Sequence, residues 1–278
     1  MPTHNRQTML ERAIASVVAQ TYQQWELIVV DDGSRQPVEA ALRANFSAFE
    51  KQIQVIRHDQ PQGACAARNS GVRAAKGKWL TSLDDDDEYY PDRLRHQLEV
   101  LSTHPEFAFV CTDYLDIRTT GQRISKKGGV MDVNRVLWSN ITTPSVLART
   151  ADVLKIGGWD ENLTAAQDYD LYLRLLLEYG KAYRIPKALY IHHQEHLGPR
   201  ITNNPRKRFR GYYDFYLKHK QLMNRDQRAF FLYMLLGVQQ KSRTICQLLH
   251  WVPLRFFPSE LNNIFLEKTK LYRWLGPK

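Results

Sequence analysis

Apolar residues recur along the first half of the chain with two alternating periods, one typical of helices and the other of strands. Leu10, Ile14 and Val17 follow the spacing of an amphipathic helix, and residues 25–30 form a nearly continuous apolar run that predicts a buried strand. The same alternation predicts further helices over 37–49 and 64–75 and further strands over 53–57 and 79–83. Together these elements predict an α/β fold, with a doubly wound, mainly parallel sheet flanked by helices.

The second half of the chain divides at about residue 204. Before it, the pattern predicts a helix over 91–103, a strand over 107–112, a loop over 119–129 and a helix over 168–178 that Gly180 closes. Beyond Pro205 the sequence is helical, aromatic and basic, without strand alternation. We therefore predict two domains, 1–204 and a helical extension over 205–278.

Composition sets the broad class. The chain has 278 residues, of which 43% are hydrophobic, so it has enough apolar material for a core and is not expected to be disordered. The longest apolar run, Ala229–Val238, is shorter than the about 20 residues that span a bilayer. We expect neither a transmembrane helix nor a signal peptide. The three cysteines lie far apart, which argues against disulfides and zinc and favours a cytoplasmic location.

The net charge of +10 is concentrated at one end of the chain. Residues 1–204 hold 24 basic and 25 acidic residues, whereas residues 205–278 hold 15 basic and 4 acidic ones. A basic, aromatic segment of this kind favours an anionic partner, either nucleic acid or the cytoplasmic face of a membrane.

Acidic residues follow two of the predicted strands. Asp31-Asp32 ends the first strand, and a run of five carboxylates, Asp84–Glu88, follows the strand over 79–83. Ligands of open parallel sheets bind beyond the carboxyl ends of the strands, and five adjacent carboxylates repel one another unless a cation neutralises some of them. An EF-hand loop is excluded because its sixth and twelfth positions would be Tyr89 and Arg95. An all-oxygen set suits Mg²⁺ or Mn²⁺ and a phosphate-bearing ligand.

Two common phosphate-binding motifs are missing from the sequence. No G-x-G-x-x-G follows a predicted strand, and no G-x-x-x-x-G-K-[ST] occurs. A dinucleotide-dependent dehydrogenase and a P-loop NTPase are therefore disfavoured.

Six segments, in this order and spacing, resemble the family 2 nucleotide-sugar glycosyltransferases, which have the GT-A fold and invert the anomeric configuration. The resemblance covers about residues 1–200. The segments are Pro2–Arg6, Ser16–Tyr22, Val29–Ser34, Gly63–Gly71, Leu83–Asp87 and Gly157–Glu161.

The resemblance implies a role for individual residues. Asp31 and Asp32 match the pair that recognises the nucleotide base, usually uracil, and Arg68 matches a residue that holds the base and the diphosphate. Asp84 and Asp86 match the D-x-D motif, with Asp86 as the direct metal ligand. The implied donor-binding set is Pro2, Thr3, Asn5, Asp31, Asp32, Arg68, Asp84 and Asp85.

Further residues complete the implied site. Asp168 matches the catalytic base, and Trp159 and Asp160 are assigned to the acceptor side. Among the histidines of residues 192–196, His196 is the favoured second metal ligand. Gln167 departs from the family, which commonly has Glu there; its neutral side chain removes a negative charge beside the base.

The resemblance implies an inverting, Mn²⁺- or Mg²⁺-dependent enzyme that moves a hexosyl or N-acetylhexosaminyl group from a nucleotide-sugar to a hydroxyl. The expected acceptor is a glycan or lipid-linked molecule in cell-surface polysaccharide or lipopolysaccharide synthesis, and the expected location is the cytoplasm or the inner membrane face. Two alternatives remain: a sugar-nucleotide nucleotidyltransferase, and a nucleic-acid-binding protein that uses the basic tail. We expect no nucleic acid as partner, because the acidic strand ends repel phosphate.

The family's first strand precedes the segment that matches Pro2–Arg6, whereas here Met1 is the first residue. A central strand pairs on both sides, so its loss leaves unpaired backbone groups in a buried place. We therefore expect Met1 to be an internal methionine of a chain that has roughly five to eight further residues rich in Val and Ile, about one strand's length.

Overall fold

Strands and helices alternate along most of the chain, as predicted. The computed structural model describes residues 1–142, 145–195, 204–239, 245–253 and 256–257. The described strands are β1 (Pro2–Thr3), β2 (Leu27–Asp31), β3 (Ile53–Arg57), β4 (Trp79–Thr81), β5 (Glu88–Tyr89), β6 (Phe109–Arg118), β7 (Gly121–Ser125), β8 (Gly129–Met131), β9 (Leu147–Arg149) and β10 (Ala182–His193). The described helices are α1 (Gln7–Val18), α2 (Glu39–Asn45), α3 (Ala64–Ala74), α4 (Arg93–Thr103), α5 (Val133–Trp138), α6 (Thr150–Lys155), α7 (Gln167–Tyr179), α8 (Pro205–His219), α9 (Arg225–Val238) and α10 (Ile245–Trp251).

The first sheet is parallel and has the order β1-β2-β3. Every residue of β2 is buried, which explains its continuous apolar sequence. Leu10 and Ile14 of α1 pack on β2 through Leu27 and Val29. The helical spacing of the first segment therefore identifies a helix that covers this sheet.

The second sheet is mixed rather than parallel, with the order β4-β9-β6-β10-β5. Within the described residues, β6 and β10 pair in parallel, whereas β4, β5, β7, β8 and β9 all join antiparallel. The predicted parallel arrangement thus holds for the first sheet and for one strand pair of the second.

The loop predicted over 119–129 is wrong, because it contains β7. This strand pairs antiparallel with the end of β6, with Leu115 opposite Ile124. Four of its five residues are exposed, so no apolar alternation marks the strand. Pairing with β6, which only the tertiary structure provides, forms it.

The chain forms two compact units. The first consists of Met1–Val133, Ile141–Glu161 and Asp168–His196, and the second of Asn134–Asn140, Asn162–Gln167 and Leu197–Lys278. In the second unit, Asn224 and Gln227 form a reciprocal capping box at the start of α9. Gly211 of α8 approaches the backbone of Ala165 so closely that a Cβ would lie 2.2 Å from the Ala165 nitrogen.

None of the described helices is both long enough and apolar enough to cross a bilayer.

A cavity of about 260 Å³ lies in the first unit, lined by residues of β2 and β4 and by Met1. The Met1 amine donates to the carbonyl of Ile28 at 2.8 Å. Burial, together with the charge of Arg68, lowers the pKa of this amine to about 5. An extension of β1 upstream of Met1 would enter this cavity, because Pro2 and Thr3 pair with the last two residues of β2 and Met1 lines the cavity.

We predict that a five-residue Val/Ile extension upstream of Met1 stabilises the chain, because it fills this cavity and replaces the buried amine with a peptide group. The melting temperature should rise by more than about 4 °C. Because the pKa of the amine is lowered in the folded chain, the free energy of unfolding decreases as the pH is lowered from 8 to about 5. The extension should remove this pH dependence. A Gly/Ser extension of equal length is the control; equal melting temperatures and equal UDP binding for both extended chains and the 278-residue chain would contradict the prediction.

Candidate functional site

The two acidic residues at the end of β2 are held by loop backbone. Asp31 accepts a hydrogen bond from the Ser34 N–H at 2.9 Å and pairs with Arg57. Asp32 accepts from the N–H groups of residues 62 and 63, each at 2.8 Å. Burial raises the pKa of both carboxyls, but these hydrogen bonds outweigh it and leave both pKa values below the ordinary range. Both groups are therefore ionised at neutral pH and order the loops that follow β2 and β3.

His58 belongs to this region, although the sequence did not single it out. Its Nδ1 lies 2.8 Å from Asp32 Oδ1, and its Nε2 lies 2.9 Å from Ser70 Oγ. In the sequence, the feature that could have identified His58 is its position directly after β3, at the same sheet edge as Asp32. His58 thereby orients one of the predicted donor-binding carboxylates.

The predicted donor-binding residues of the N-terminal segment lie along the same edge. Pro2 of β1 is opposite Val30. Thr3 donates its hydroxyl to Asp85 Oδ2 at 2.8 Å. Asn5 adopts a left-handed backbone conformation with φ 56° and accepts from the Arg35 N–H at 2.8 Å. The segment therefore connects the loop after β2 with the acidic run after β4.

Three arginines compensate the acidic run. Arg68 donates to Asp84 at 2.6 Å. Arg6 donates to Asp85 at 3.0 Å and to Asp86 at 3.1 Å. Arg12 lies 3.3 Å from Glu88 and donates to the backbone carbonyl of Asp86 at 2.6 Å. Five carboxyl groups thus meet three guanidinium groups.

Two carboxyl groups of the run are deeply buried, and burial raises the pKa of each. Burial raises the pKa of Asp85 to about 6, although Arg6 opposes the shift. Burial and the charges of Asp86 and Asp84 raise the pKa of Asp87 well above its ordinary value. Asp87 accepts from the Tyr190 hydroxyl at 2.5 Å and from the His193 N–H at 2.9 Å.

The acidic run has a donor set that fits a divalent cation. One carboxylate oxygen each of Asp84, Asp86 and Asp87 lies within 4.8 Å of the others. Asp87 was not among the predicted ligands, because the D-x-D match ends at Asp86. A set made only of oxygen atoms suits Mg²⁺ and Mn²⁺, and the excess of carboxyl groups over guanidinium groups favours a cation there.

His193 is a further residue beside this run. Its Nε2 lies 2.6 Å from Glu88 Oε1 and its Nδ1 lies 2.6 Å from Glu195 Oε1. The favoured histidine, His196, lies outside the described residues.

Asp168 lies at the start of α7 and is brought close to Arg68. The Trp159 indole N–H donates to Asp168 Oδ1 at 2.7 Å, and the Arg68 guanidinium lies 5.8 Å from the centre of the Trp159 ring. Burial raises the pKa of Asp168; Arg68 opposes the shift, the charge of Asp84 adds to it, and the Trp159 N–H opposes it. Trp159, predicted on the acceptor side, is thus a hydrogen-bond partner of the candidate base.

The turn that carries Trp159 is fixed by Asn69. Its amide donates to the Trp159 carbonyl at 2.9 Å and accepts from the Trp159 N–H at 2.8 Å. Gly158 has φ 67°, and a Cβ there would lie 2.4 Å from the Asn69 side chain. Asp160 follows in the same turn and is half-buried. The Gln167 side chain donates to the Leu163 carbonyl at 2.8 Å.

Comparison with known proteins places this geometry in a family. The profile of Glycosyl transferase family 2 matches residues 1–147, more than half of the chain. The chain is 33% identical over 262 residues to the putative colanic acid biosynthesis glycosyl transferase WcaA of Escherichia coli (strain K12), with 92% of each chain covered. It is 30% identical over 125 residues to the putative teichuronic acid biosynthesis glycosyltransferase TuaG of Bacillus subtilis (strain 168), over 45% of this chain and 49% of the relative.

A solved structure shares the fold. S. aureus TarS 1-349 in complex with UDP-GlcNAc superposes with a TM-score of 0.68 and 16% identity, over 96% of this chain and 79% of that chain. The sequence matches and this shared fold confirm the resemblance found in the sequence. The chain therefore belongs to glycosyl transferase family 2 and has the GT-A fold.

Proposed function

We propose that the protein is an inverting, metal-dependent glycosyltransferase that moves a hexosyl or N-acetylhexosaminyl group from a UDP-sugar to a hydroxyl of a glycan or lipid-linked acceptor. Family membership makes the chain a glycosyltransferase and favours glycosyl transfer over nucleotidyl transfer. The names of WcaA and TuaG support a role in cell-surface polysaccharide synthesis, with lipopolysaccharide as one such product. The UDP-GlcNAc complex of TarS supports a UDP-sugar donor.

The observation that carries the proposal is the position of Arg68 between two carboxylates. Arg68 binds Asp84 at 2.6 Å and stacks near Trp159, whose N–H holds Asp168. Asp84 and Asp168 are far apart in sequence, and the fold brings the candidate donor side and the candidate base to one arginine. A planar guanidinium is suited to diphosphate oxygens.

The chemistry of the transfer follows from charge. When the bond between the anomeric carbon and the diphosphate breaks, negative charge develops on the leaving oxygen, and Arg68 is placed to stabilise it. Asp168 takes the proton of the attacking hydroxyl on the opposite face of the sugar. A single displacement of this kind inverts the anomeric centre, so an α-linked donor gives a β-linked product.

Asp84, Asp86 and Asp87 would hold the divalent cation, which acts when bound as a Lewis acid toward the diphosphate. Thr3 lies beside this set and donates its hydroxyl to Asp85, and Arg6 pairs with both Asp85 and Asp86. The groups that we propose around the nucleotide are Asp31, Asp32, Pro2 and Asn5.

A screen of UDP-sugars with Mn²⁺, assayed by released UDP, tests the proposed function. We expect one donor to be hydrolysed slowly and transferred when an acceptor is added. Asp86→Ala should lose the Mn²⁺-dependent release and weaken UDP binding at least about tenfold, because one carboxylate of the cation set is gone. Asp59→Ala removes an exposed carboxylate elsewhere and should behave as wild type. Wild-type turnover and UDP affinity in Asp86→Ala would refute the site.

We predict that Asp168→Asn keeps donor binding and loses transfer by a factor of about 10² to 10⁴, as expected for a general base. Trp159→Phe keeps the apolar ring but removes the N–H that stabilises the Asp168 carboxylate. The pKa of the base should then rise further, so the acidic limb of the kcat profile should move to higher pH. Loss of donor binding in Asp168→Asn would make this residue structural, and an unmoved pH profile in Trp159→Phe would contradict the role of the indole.

The second unit supports a location at the inner face of the cytoplasmic membrane. α8 presents basic and apolar side chains together at helical spacing: Arg206, Arg210, Tyr213 and Leu217 are all exposed. Residues 205–278 hold 15 basic and 4 acidic residues. Each Lys or Arg near an anionic leaflet contributes about 1 kcal/mol, and a lipid-linked acceptor would be available there.

We predict that the 278-residue chain floats with vesicles that contain anionic lipid and is released by salt. Replacement of Arg206, Lys207 and Arg210 by Gln should weaken flotation at least tenfold. The matched control replaces three exposed basic residues of the first unit, Arg35, Arg43 and Lys51, by Gln. Equal flotation of both triple variants would refute a specific role for α8; retention on DNA in place of vesicles would favour the nucleic-acid alternative.

A further inference from the structure

Arg6 forms an ion pair with Asp86, one of the three carboxylates of the candidate cation site. Its Nη1 donates to Asp85 Oδ1 at 3.0 Å and to Asp86 Oδ2 at 3.1 Å. The side chains of Asp85 and Asp86 are 7% and 12% exposed, and that of Arg6 is 22% exposed. The contact is therefore largely shielded from water, which makes it stronger than an ordinary surface ion pair.

The other two arginines of the run have different partners. Arg12 is bound to Glu88 and to the backbone carbonyl of Asp86, and Arg68 is bound to Asp84. Arg6 donates to the carboxylate of Asp86, which groups with Asp84 and Asp87. A divalent cation bound there would use the charge that Arg6 now neutralises.

A guanidinium and a divalent cation repel each other when both approach one half-buried carboxylate pair. A nucleoside diphosphate changes this balance, because its anionic oxygens attract both cations and suit the planar fork of arginine. Arg6 also lies at the N-terminal end of α1, in the segment that contains the proposed donor-binding residues Thr3 and Asn5.

We propose that Arg6 is the temporary counter-ion of the Asp85–Asp86 pair, and that its displacement couples cation binding to nucleotide binding. This proposal rests on the proposed function of the site. Without nucleotide, the cation must compete with Arg6 and binds weakly. With the diphosphate present, Arg6 exchanges its carboxylate partners for phosphate oxygens, and cation and nucleotide bind together.

The test is a Mn²⁺ titration followed by electron paramagnetic resonance, on the full chain with and without UDP. Arg6→Gln should bind Mn²⁺ alone about tenfold more tightly than wild type, and UDP should tighten Mn²⁺ binding by a smaller factor than in wild type. Arg12→Gln removes the same charge from the same run but leaves the Asp86 carboxylate paired. It should tighten Mn²⁺ binding by no more than about threefold.

A second variant and a second measurement show whether a change in Mn²⁺ binding comes only from misfolding of Arg6→Gln. Arg6→Lys keeps the charge but not the fork, and its Mn²⁺ affinity should lie between those of wild type and Arg6→Gln. Mn²⁺ should also raise the melting temperature of Arg6→Gln more than that of wild type, because tighter ligands stabilise more. Unchanged or weaker Mn²⁺ binding in both Arg6 variants, or an unchanged effect of UDP, would overturn the role of Arg6 and leave the proposed function standing. Absence of Mn²⁺ binding in every protein, with and without UDP, would overturn both.

Discussion

The crowding of carboxylates after β4 is the constraint on which the site depends. Two carboxylates 4 Å apart repel by about 4 kcal/mol at the effective dielectric of a protein surface, and Asp84–Asp87 place four in one turn, three of them buried. The surrounding elements must therefore supply cations and hydrogen-bond donors. Arg6, Arg12 and Arg68 do so from the segment before α1, from α1 and from α3. Residues from three separate parts of the first unit thus compensate carboxylates that would otherwise be unfavourable to bury.

The same compensation links the acidic run to the candidate base. Arg68 neutralises Asp84 and, through its proximity to Trp159, lies beside Asp168. Asn69, the next residue of α3, fixes the turn that aims the Trp159 N–H at Asp168. Two adjacent residues of one helix therefore set the electrostatics and the geometry of two carboxylates that are far apart in sequence. Such precise support is what general-base chemistry requires.

Much of the first unit was predictable because its signals are local. The burial of β2 follows from its unbroken apolar run, and the covering face of α1 follows from its helical spacing. β7 was missed because an exposed edge strand has no apolar alternation, and the mixed second sheet was missed because strand direction depends on distant partners. In the candidate site, motifs predicted the acidic run and Asp168. His58 and Asp87 were not, since their importance lies in contacts with Asp32, Tyr190 and His193.

The sequence by itself determined the family, the α/β class and the residue types of the site, because strand ends, acidic runs and motif spacing are properties of neighbouring residues. The tertiary structure alone decided which carboxylate each arginine compensates, that Asp87 joins Asp84 and Asp86, and that the Trp159 indole holds Asp168. The physical reason is that burial and charge set a pKa or an ion pair through distances in space. Residues more than a few positions apart have no fixed distance until the chain is folded.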